Sequence, residues 1–323
     1  MFLTLEDNAH HQFLRSQSYS KKLEQLDVLD IEEFVAPVRS SGKLRLGYFS
    51  SDFRDHPVLH LLMGMLREHD RSSFELYGYS SGRVGECAMR EEAKGYFDVF
   101  TDINEMSDAD VIKLARGHQL DVVINLNGYT GRPRNEIFAH RVAPVQINYL
   151  GFPSTMGADF MDYIVADKVI IPEEYQQYYS EKVLYLPDVY LPNDDKREVA
   201  NTNTSRSDVG FPEDGFVFCC FNTSYKISPA EFDVWMRILG QVEGSVLWLS
   251  SSNKWAVENL KKEAEKRGIS ADRIIFASRL DKNSEHLARH KHADLFIDTF
   301  NYNAHTTAGD ALMTGLPLVT KQG

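Results

Sequence analysis

Residues 295–315 read LFIDTFNYNAHTTAGDALMTG. The apolar run Leu295 to Phe300 predicts a strand, and apolar spacing from Ala311 to Gly315 predicts a helix. Between them lies the small, hydroxyl-bearing turn Asn303-Ala304-His305-Thr306-Thr307-Ala308-Gly309-Asp310. A strand that passes through such a turn straight into a helix leaves N–H groups without partners at the helix start, aimed beyond the strand's carboxyl end. That arrangement suits a phosphate. His305, Thr306 and Thr307 add side-chain donors, and Asp310, one turn further in, can accept from a sugar hydroxyl. The same residues would also serve as an ordinary helix N-cap, so the rest of the chain has to decide.

Strand followed by helix recurs on both sides of this stretch. Downstream of residue 215 the strands are Phe216 to Phe221, Ser245 to Leu249, Arg273 to Ala277 and Pro317 to Thr320, with helices at Trp255 to Arg267 and Ser284 to His292. Another helix is signposted by Ser228-Pro229-Ala230-Glu231, which offers an N-cap, Pro at the first helical position and a capping-box Glu. Upstream, strands are expected at 44–50, 74–79, 97–101, 121–126, 145–150 and 163–165, and helices at 58–67, 86–94, 108–116 and 135–140. Alternation of this kind implies an α/β protein built from parallel sheets covered on both faces. Pro187, Pro192, Asn193, Asp194 and the Asn/Thr/Ser run ending at Gly210 interrupt it. The chain therefore divides into a helical lead-in over 1–42, a Rossmann-like domain over 43–190, a linker over 191–214 and a second Rossmann-like domain over 215–323. Two doubly wound Rossmann-like domains in tandem predict a ligand held in a cleft between them, at the carboxyl ends of their strands.

Composition excludes several classes. The chain has 323 residues, 43% hydrophobic and 25% charged, which fits two ordinary cores and no disordered polyampholyte. Its formal net charge of -12 argues against nucleic acid as a partner. No run of about 18 apolar residues and no secretory leader is visible, so a cytoplasmic address and no membrane are expected. Three cysteines, Cys87, Cys219 and Cys220, make neither a disulfide framework nor a zinc spacing. The glycine-rich dinucleotide fingerprint and the P-loop are both absent.

Candidate functional residues fall at the predicted strand ends. His56, before Pro57, belongs on the loop after the first strand, and His60 on the following helical turn; either can face a cleft as base or sugar ligand, or simply pack or cap. Thr223 and Lys226 lie in the turn before Ser228, where a lysine can neutralise a diphosphate or stand solvated at the surface. His286 and Arg289, three apart, share a helix face and can reach one ligand together. Loops carrying Tyr129 and Thr130, and Gly151 and Pro153, permit close backbone approach. Asp108 and Asp110 read as helix-capping residues and not as a metal site.

Taken in order, SSDFRDHPVLHLL, the segment from Asn125 to Asp167, CCFNTSYKISP, SVLWLSS and the segment from His286 to Pro317 resemble the catalytic region of protein O-GlcNAc transferases, of a bacterial, GT41-like type. The resemblance runs from about Leu44 to Gly323. It implies a GT-B fold with an incomplete second domain, and inverting transfer of GlcNAc from UDP-GlcNAc to Ser or Thr of protein or peptide acceptors, with no cofactor and no catalytic metal. It places Lys226 on the donor diphosphate, His305, Thr306 and Thr307 in the phosphate turn, Asp310 near the ribose, and His286 and Arg289 beside the uridine. His56 matches a histidine that acts as base or positions the acceptor. His60, Tyr129, Thr130, Gly151 and Pro153 fall in the sugar and acceptor cleft. Two departures are local: Thr223 stands where animal enzymes carry glutamine, and the spacing to Lys282 differs by one residue. Residues 1–42 are too short for the family's usual tetratricopeptide repeats, and relatives continue beyond Gly323, so a truncated form is expected. Donors such as UDP-glucose or GDP-fucose, or an inactive nucleotide- or protein-binding remnant, remain open alternatives.

Overall fold

The computed structural model describes residues 2–25, 31–37, 42–83, 85 and 87–322. Two compact units result: Asn8–Asp195, and Lys196–Gly323 together with Met1–Asp7. The first unit contains α1 (Ala9–Gln25), β1 (Leu44–Ser50), α2 (Pro57–Glu68), β2 (Phe74–Ser80), α3 (Ala88–Lys94), β3 (Val99–Asp102), α4 (Asp108–Gly117), β4 (Val122–Asn125), α5 (Glu136–Ala139), β5 (Val145–Asn148), β6 (Tyr163–Ala166) and β7 (Lys182–Tyr185). Its seven strands are all parallel, in the order β3-β2-β1-β4-β5-β6-β7.

Physical causes for these elements are local. The last five residues of β1 are buried, as a parallel strand covered on both faces requires. In α2, Leu59, Leu62 and Leu66 recur at helical spacing and are each at most 1% exposed, so one face of the helix is core. Burial of each such leucine stabilises the fold by about 1.5–3 kcal/mol. Pro57 occupies the start of α2 while His56 keeps extended backbone at the N-cap, as the His-Pro pair predicts. The helix expected from Glu86 begins at Ala88, residue 86 lying outside the described residues.

Three features differ from the sequence reading. β7 was not anticipated, because Lys182 to Tyr185 alternate between exposed and half-buried and so resemble a loop; such partial burial fits the strand's place at the sheet edge. Within 1–42, of which 26–30 and 38–41 lie outside the described residues, α1 packs as part of the first unit. Leu23 is 7% exposed, and the ring of Tyr19 meets that of Tyr129 edge-on at 4.8 Å. Finally, the stretch read as linker lies against the second unit from Lys196 onward, with Ala200 N donating to Ser284 O at 3.0 Å.

The second unit holds β8 (Val217–Cys220), α6 (Pro229–Gln241), β9 (Val246–Ser250), α7 (Lys254–Lys266), β10 (Ile274–Ala277), α8 (Asn283–Ala288), β11 (Leu295–Ile297), α9 (Thr306–Met313) and β12 (Leu318–Val319). Its parallel strands run β10-β9-β8-β11-β12. Every residue of β8 is buried, and Cys219 and Cys220 are packing residues whose thiols burial pushes up, that of Cys220 to about 12. The capping box forms: the Glu231 carboxylate accepts from both the amide and the hydroxyl of Ser228. α8 is shorter than expected, giving way at Arg289 to a 3-10 turn over Arg289–His292. There the buried His290 ring turns back, its Nδ1 3.1 Å from the carbonyls of His286 and Leu287. Among the described residues no helix is long and apolar enough to cross a membrane.

Candidate functional site

In the second unit β8 and β11 are neighbours from which the chain winds outward in opposite directions, so their carboxyl ends form the crevice where open parallel sheets take ligands. Two loops meet there, and Asp298, at the end of β11 and 3% exposed, organises them. Its Oδ1 accepts from Thr299 N, Ala304 N and Asn222 Nδ2, each at 2.8 Å, and its Oδ2 from the Thr320 hydroxyl at 2.7 Å. Asn222 Oδ1 accepts from Thr307 Oγ1 at 2.6 Å, so one carboxamide joins the end of β8 to the first turn of α9. The His305 carbonyl accepts from Ala308 N and Gly309 N at 3.1 and 3.0 Å, starting the helix. Helix geometry leaves the amides of Thr306 and Thr307, in that first turn, without intrahelical acceptors.

Lys226 closes the 3-10 turn Ser224–Lys226 that follows β8. Its Nζ donates to Asn303 O at 3.0 Å and lies 3.8 Å from the centre of the Tyr302 ring. Burial lowers its pKa to about 8, partly opposed by the negative charge of Asp298. His305 is pushed down to about 4 by burial and by Lys226, and is therefore neutral at pH 7. A part-desolvated ammonium beside a helix N-terminus is a strong anion site. Thr223 contributes its carbonyl to the Lys226 amide at 2.9 Å, and its side chain makes no capping bond.

The helices on either side of this crevice bring further expected residues together. His286 Nε2 lies 3.8 Å from Asp310 Oδ2, linking α8 to α9. The Phe221 ring, at the end of β8, is 5.5 Å from the His286 ring, and the Arg289 guanidinium lies 5.7 Å from its centre. Arg289 donates to Ser278 O at 3.0 Å, and burial lowers its pKa to about 10, which leaves it charged at pH 7. Asp310 corrects the sequence reading in one respect. It is not an open acceptor: it is 4% exposed and its Oδ1 sits 2.7 Å from Arg197 Nη2. Arg197, Asn222 and Asp298 escaped the sequence reading because the pairings that join separate loops through them are distant in sequence. A carboxylate ending the apolar run LFID was the one available signal.

The first unit has its own switch point, between β1 and β4. Ser51 N donates to Asn127 Oδ1 at 2.7 Å, and Asn127 Nδ2 donates to Ser51 Oγ and Asp52 Oδ2, both at 2.9 Å. His56 leaves this loop as the N-cap of α2. Its Nδ1 accepts from Val58 N at 3.3 Å, so the proton of the neutral ring sits on Nε2, 3.7 Å from Asp52 Oδ1. Burial holds its pKa below the usual value against the pull of Asp52.

Other expected cleft residues are occupied structurally. His60 is 7% exposed and its Nε2 contacts Asp55 Oδ1 at 2.7 Å, so it packs α2 against the preceding loop. Tyr129 donates to Met156 O at 2.6 Å and its ring meets Phe152 edge-on at 5.3 Å. Thr130 Oγ1 donates to Asn127 O at 2.7 Å, bracing the β4 loop. Gly151 meets the expectation of close backbone approach, since a Cβ there would lie 1.9 Å from Leu126 O. Pro153 is half-buried beside it. Ser107, and not an aspartate, caps α4, while Asp108 pairs with Arg134. Among the described residues no group of three or more His, Cys, Asp or Glu is placed to hold a metal ion.

Two doubly wound units, the second smaller, each with polar loops interlocked at its switch point, define the GT-B glycosyltransferase architecture. Within that class the chain belongs to glycosyl transferase family 41, whose profile matches residues 9–203 and 192–323. It is 38% identical over 292 residues to the Arabidopsis thaliana protein SEC, named a probable UDP-N-acetylglucosamine–peptide N-acetylglucosaminyltransferase, covering 88% of this chain and 30% of that protein. A UDP-N-acetylglucosamine–peptide N-acetylglucosaminyltransferase of Caenorhabditis elegans is 28% identical over 396 residues, with 88% of this chain and 34% of the relative covered. The chain thus spans about a third of the length of these curated relatives. A solved O-GlcNAc transferase mutant from Thermobaculum terrenum superposes with TM-score 0.87 at 28% identity, over 98% of this chain and 59% of that one. HepE from Anabaena, solved with UDP, shares the fold alone, with TM-score 0.54 at 13% identity over 86% of this chain and 80% of its own.

Proposed function

We infer that the chain is the catalytic region of an inverting transferase that moves GlcNAc from UDP-GlcNAc to Ser or Thr hydroxyls of protein or peptide acceptors in the cytoplasm. The observation that carries this reading is that Lys226 and the α9 N-terminus lie on neighbouring loops at the β8–β11 switch point, Lys226 held to Asn303 O and Thr307 tied to Asn222. The acceptor oxygen forms a bond to the anomeric carbon as the bond from that carbon to the diphosphate oxygen breaks. The departing electron pair ends on UDP, stabilised by the Lys226 ammonium and the amides of Thr306 and Thr307, with no metal required, and the proton of the acceptor hydroxyl passes to the leaving diphosphate or to water. His286 and Arg289 supply the nucleoside end, with the buried Asp310 beside His286. His56 serves as a donor through Nε2–H that positions acceptor or sugar, because its Nδ1 lone pair is already engaged by Val58 N.

Incubation of the chain with UDP-GlcNAc and a Ser/Thr peptide should yield glycosylated peptide and UDP. Lys226→Ala should slow transfer by about 10²–10³-fold, the scale of a lost charge-stabilising donor. Near-normal turnover in that variant would remove the assignment. Tighter binding of GDP than of UDP would instead place the donor in another nucleotide class.

A further inference from the structure

We propose that Arg197 is a positioning residue for the donor nucleotide, setting α8 against α9 from a segment outside both helices. The inference rests on the reading that UDP binds where these two helices meet. Arg197 and Asp310 side chains are each 6% exposed, and Arg197 Nη2 lies 2.7 Å from Asp310 Oδ1. The same Nη2 donates to Asn283 Oδ1 at 2.9 Å. Asn283 opens α8, one turn before His286, and Asp310 lies in α9, one turn after Thr307. One guanidinium group therefore fixes the distance between the helix that carries His286 and the helix whose N-terminus faces the anion.

The neighbouring chain reinforces the same strap. Ala200 N donates to Ser284 O at 3.0 Å, and Thr204 Oγ1 meets His292 Nε2 at 2.9 Å. Arg197 Nε and Asp310 Oδ1 are both buried without a hydrogen-bond partner among the described residues, so the contact between the two side chains is an ion pair held by charge and proximity. The Asp310 carboxylate stands between Arg197 on one oxygen and His286, 3.8 Å away, on the other. Without the guanidinium, a buried carboxylate must take up a proton or move toward water, and either change alters the surface offered by α8 and α9.

The test is UDP titration calorimetry on the full chain, comparing the unaltered protein with Arg197→Ala, Arg197→Lys, Asp310→Asn and the Arg197→Ala/Asp310→Asn double variant. Arg197→Ala should weaken UDP binding by about tenfold or more, as truncation of a buried charge pair does. Arg197→Lys, which keeps charge without the two-sided geometry, should fall between. The double variant should bind no more weakly than Asp310→Asn, because Arg197 acts through that carboxylate. In steady state the donor KM should rise with little change in kcat or in the acceptor KM, a split that general loss of folded protein does not produce. If Arg197→Ala does not fold, Arg197→Lys and Asn283→Ala carry the test, and unchanged UDP affinity in both overturns the proposal. Strictly additive losses in the double variant overturn it as well. Failure of the unaltered chain to bind UDP overturns the donor-site reading itself, whereas UDP binding that ignores Arg197 overturns this inference alone.

Discussion

The hydroxyl of Thr307 donates to Asn222 Oδ1 at 2.6 Å, joining the end of β8 to the start of α9 across 85 residues of sequence. Asn222 also donates to Asp298 and to Thr299 Oγ1, at 2.8 and 2.9 Å, so the carboxamide satisfies partners at the end of β11 and the start of α9 at once. Asn222→Ala leaves these buried groups without their partner and should cost about 1–3 kcal/mol of stability. Urea unfolding measures that loss. Thr307→Val should weaken UDP binding by misplacing the α9 terminus, while Thr307→Ser, which keeps the hydroxyl, should bind nearly as well.

Lys226, with a pKa of about 8, gives the donor site a pH dependence of definite sign. At pH 7 the ammonium is present. As pH rises through 8 the unliganded lysine loses its proton, and binding of an anionic diphosphate must then restore it. UDP affinity should fall above pH 8, with proton uptake visible when calorimetry is repeated in buffers of different ionisation enthalpy. The effect on folding runs the other way: the charged, part-buried lysine disfavours the fold below pH 8, and the penalty is relieved between pH 8 and the ordinary value of 10.5. Lys226→Met should therefore not reduce stability at pH 7, although it removes the charge on which the proposed transfer would depend.

His305 predicts acid sensitivity. Its pKa is lowered from 6.5 to about 4, so the unfolded chain takes up a proton over a range in which the folded chain does not. Its contribution is fully favourable above the unfolded value and is lost as pH falls from 6.5 toward 4, by at most about 1.4 kcal/mol per pH unit. Replacing it with Asn should flatten the difference between unfolding free energies measured at pH 7 and pH 5. An unchanged slope would assign the acid sensitivity to other groups.

At His56, capping and chemistry can be separated. His56→Ala removes the acceptor for Val58 N and should cost about 1 kcal/mol through loss of the α2 cap. His56→Asn replaces that acceptor with another good cap residue. Stability should recover in the Asn variant while sugar transfer does not, which thermal unfolding and peptide glycosylation would show in parallel.

Gly151→Ala tests the loop after β5. Its Cβ would stand 1.9 Å from Leu126 O, so backbone must move. A loss of several kcal/mol, or failure to fold, is expected from such a clash in a packed interior. Hydrogen exchange should report it first around 126–128 and 148–152.

Local patterns carried most of the architecture. Apolar runs bounded by turn residues marked eleven strands, and His56-Pro57 and Ser228-Pro229-Ala230-Glu231 marked helix starts, because capping and proline geometry act between residues close in sequence. The turn from Asn303 to Asp310 was legible for the same reason: a strand end, a hydroxyl-rich turn and a helix start are consecutive. Edge strand β7 was not legible, since its half-exposed residues lack the apolar run of a covered strand.

What only the tertiary structure decided was which polar residues meet. Nothing local distinguishes Asp298 as the hub of two loops, Asn222 as the tie to Thr307, or Arg197, in an apparent linker, as the partner of Asp310. The same limit explains why His60 and Tyr129, plausible cleft residues by position, are engaged in packing. The sequence by itself determined the alternation of strands and helices and the loops at which chemistry could gather. Burial and long-range hydrogen bonding then decided which side chains in those loops are committed to the scaffold, because a buried polar group must find a partner wherever the fold brings one near.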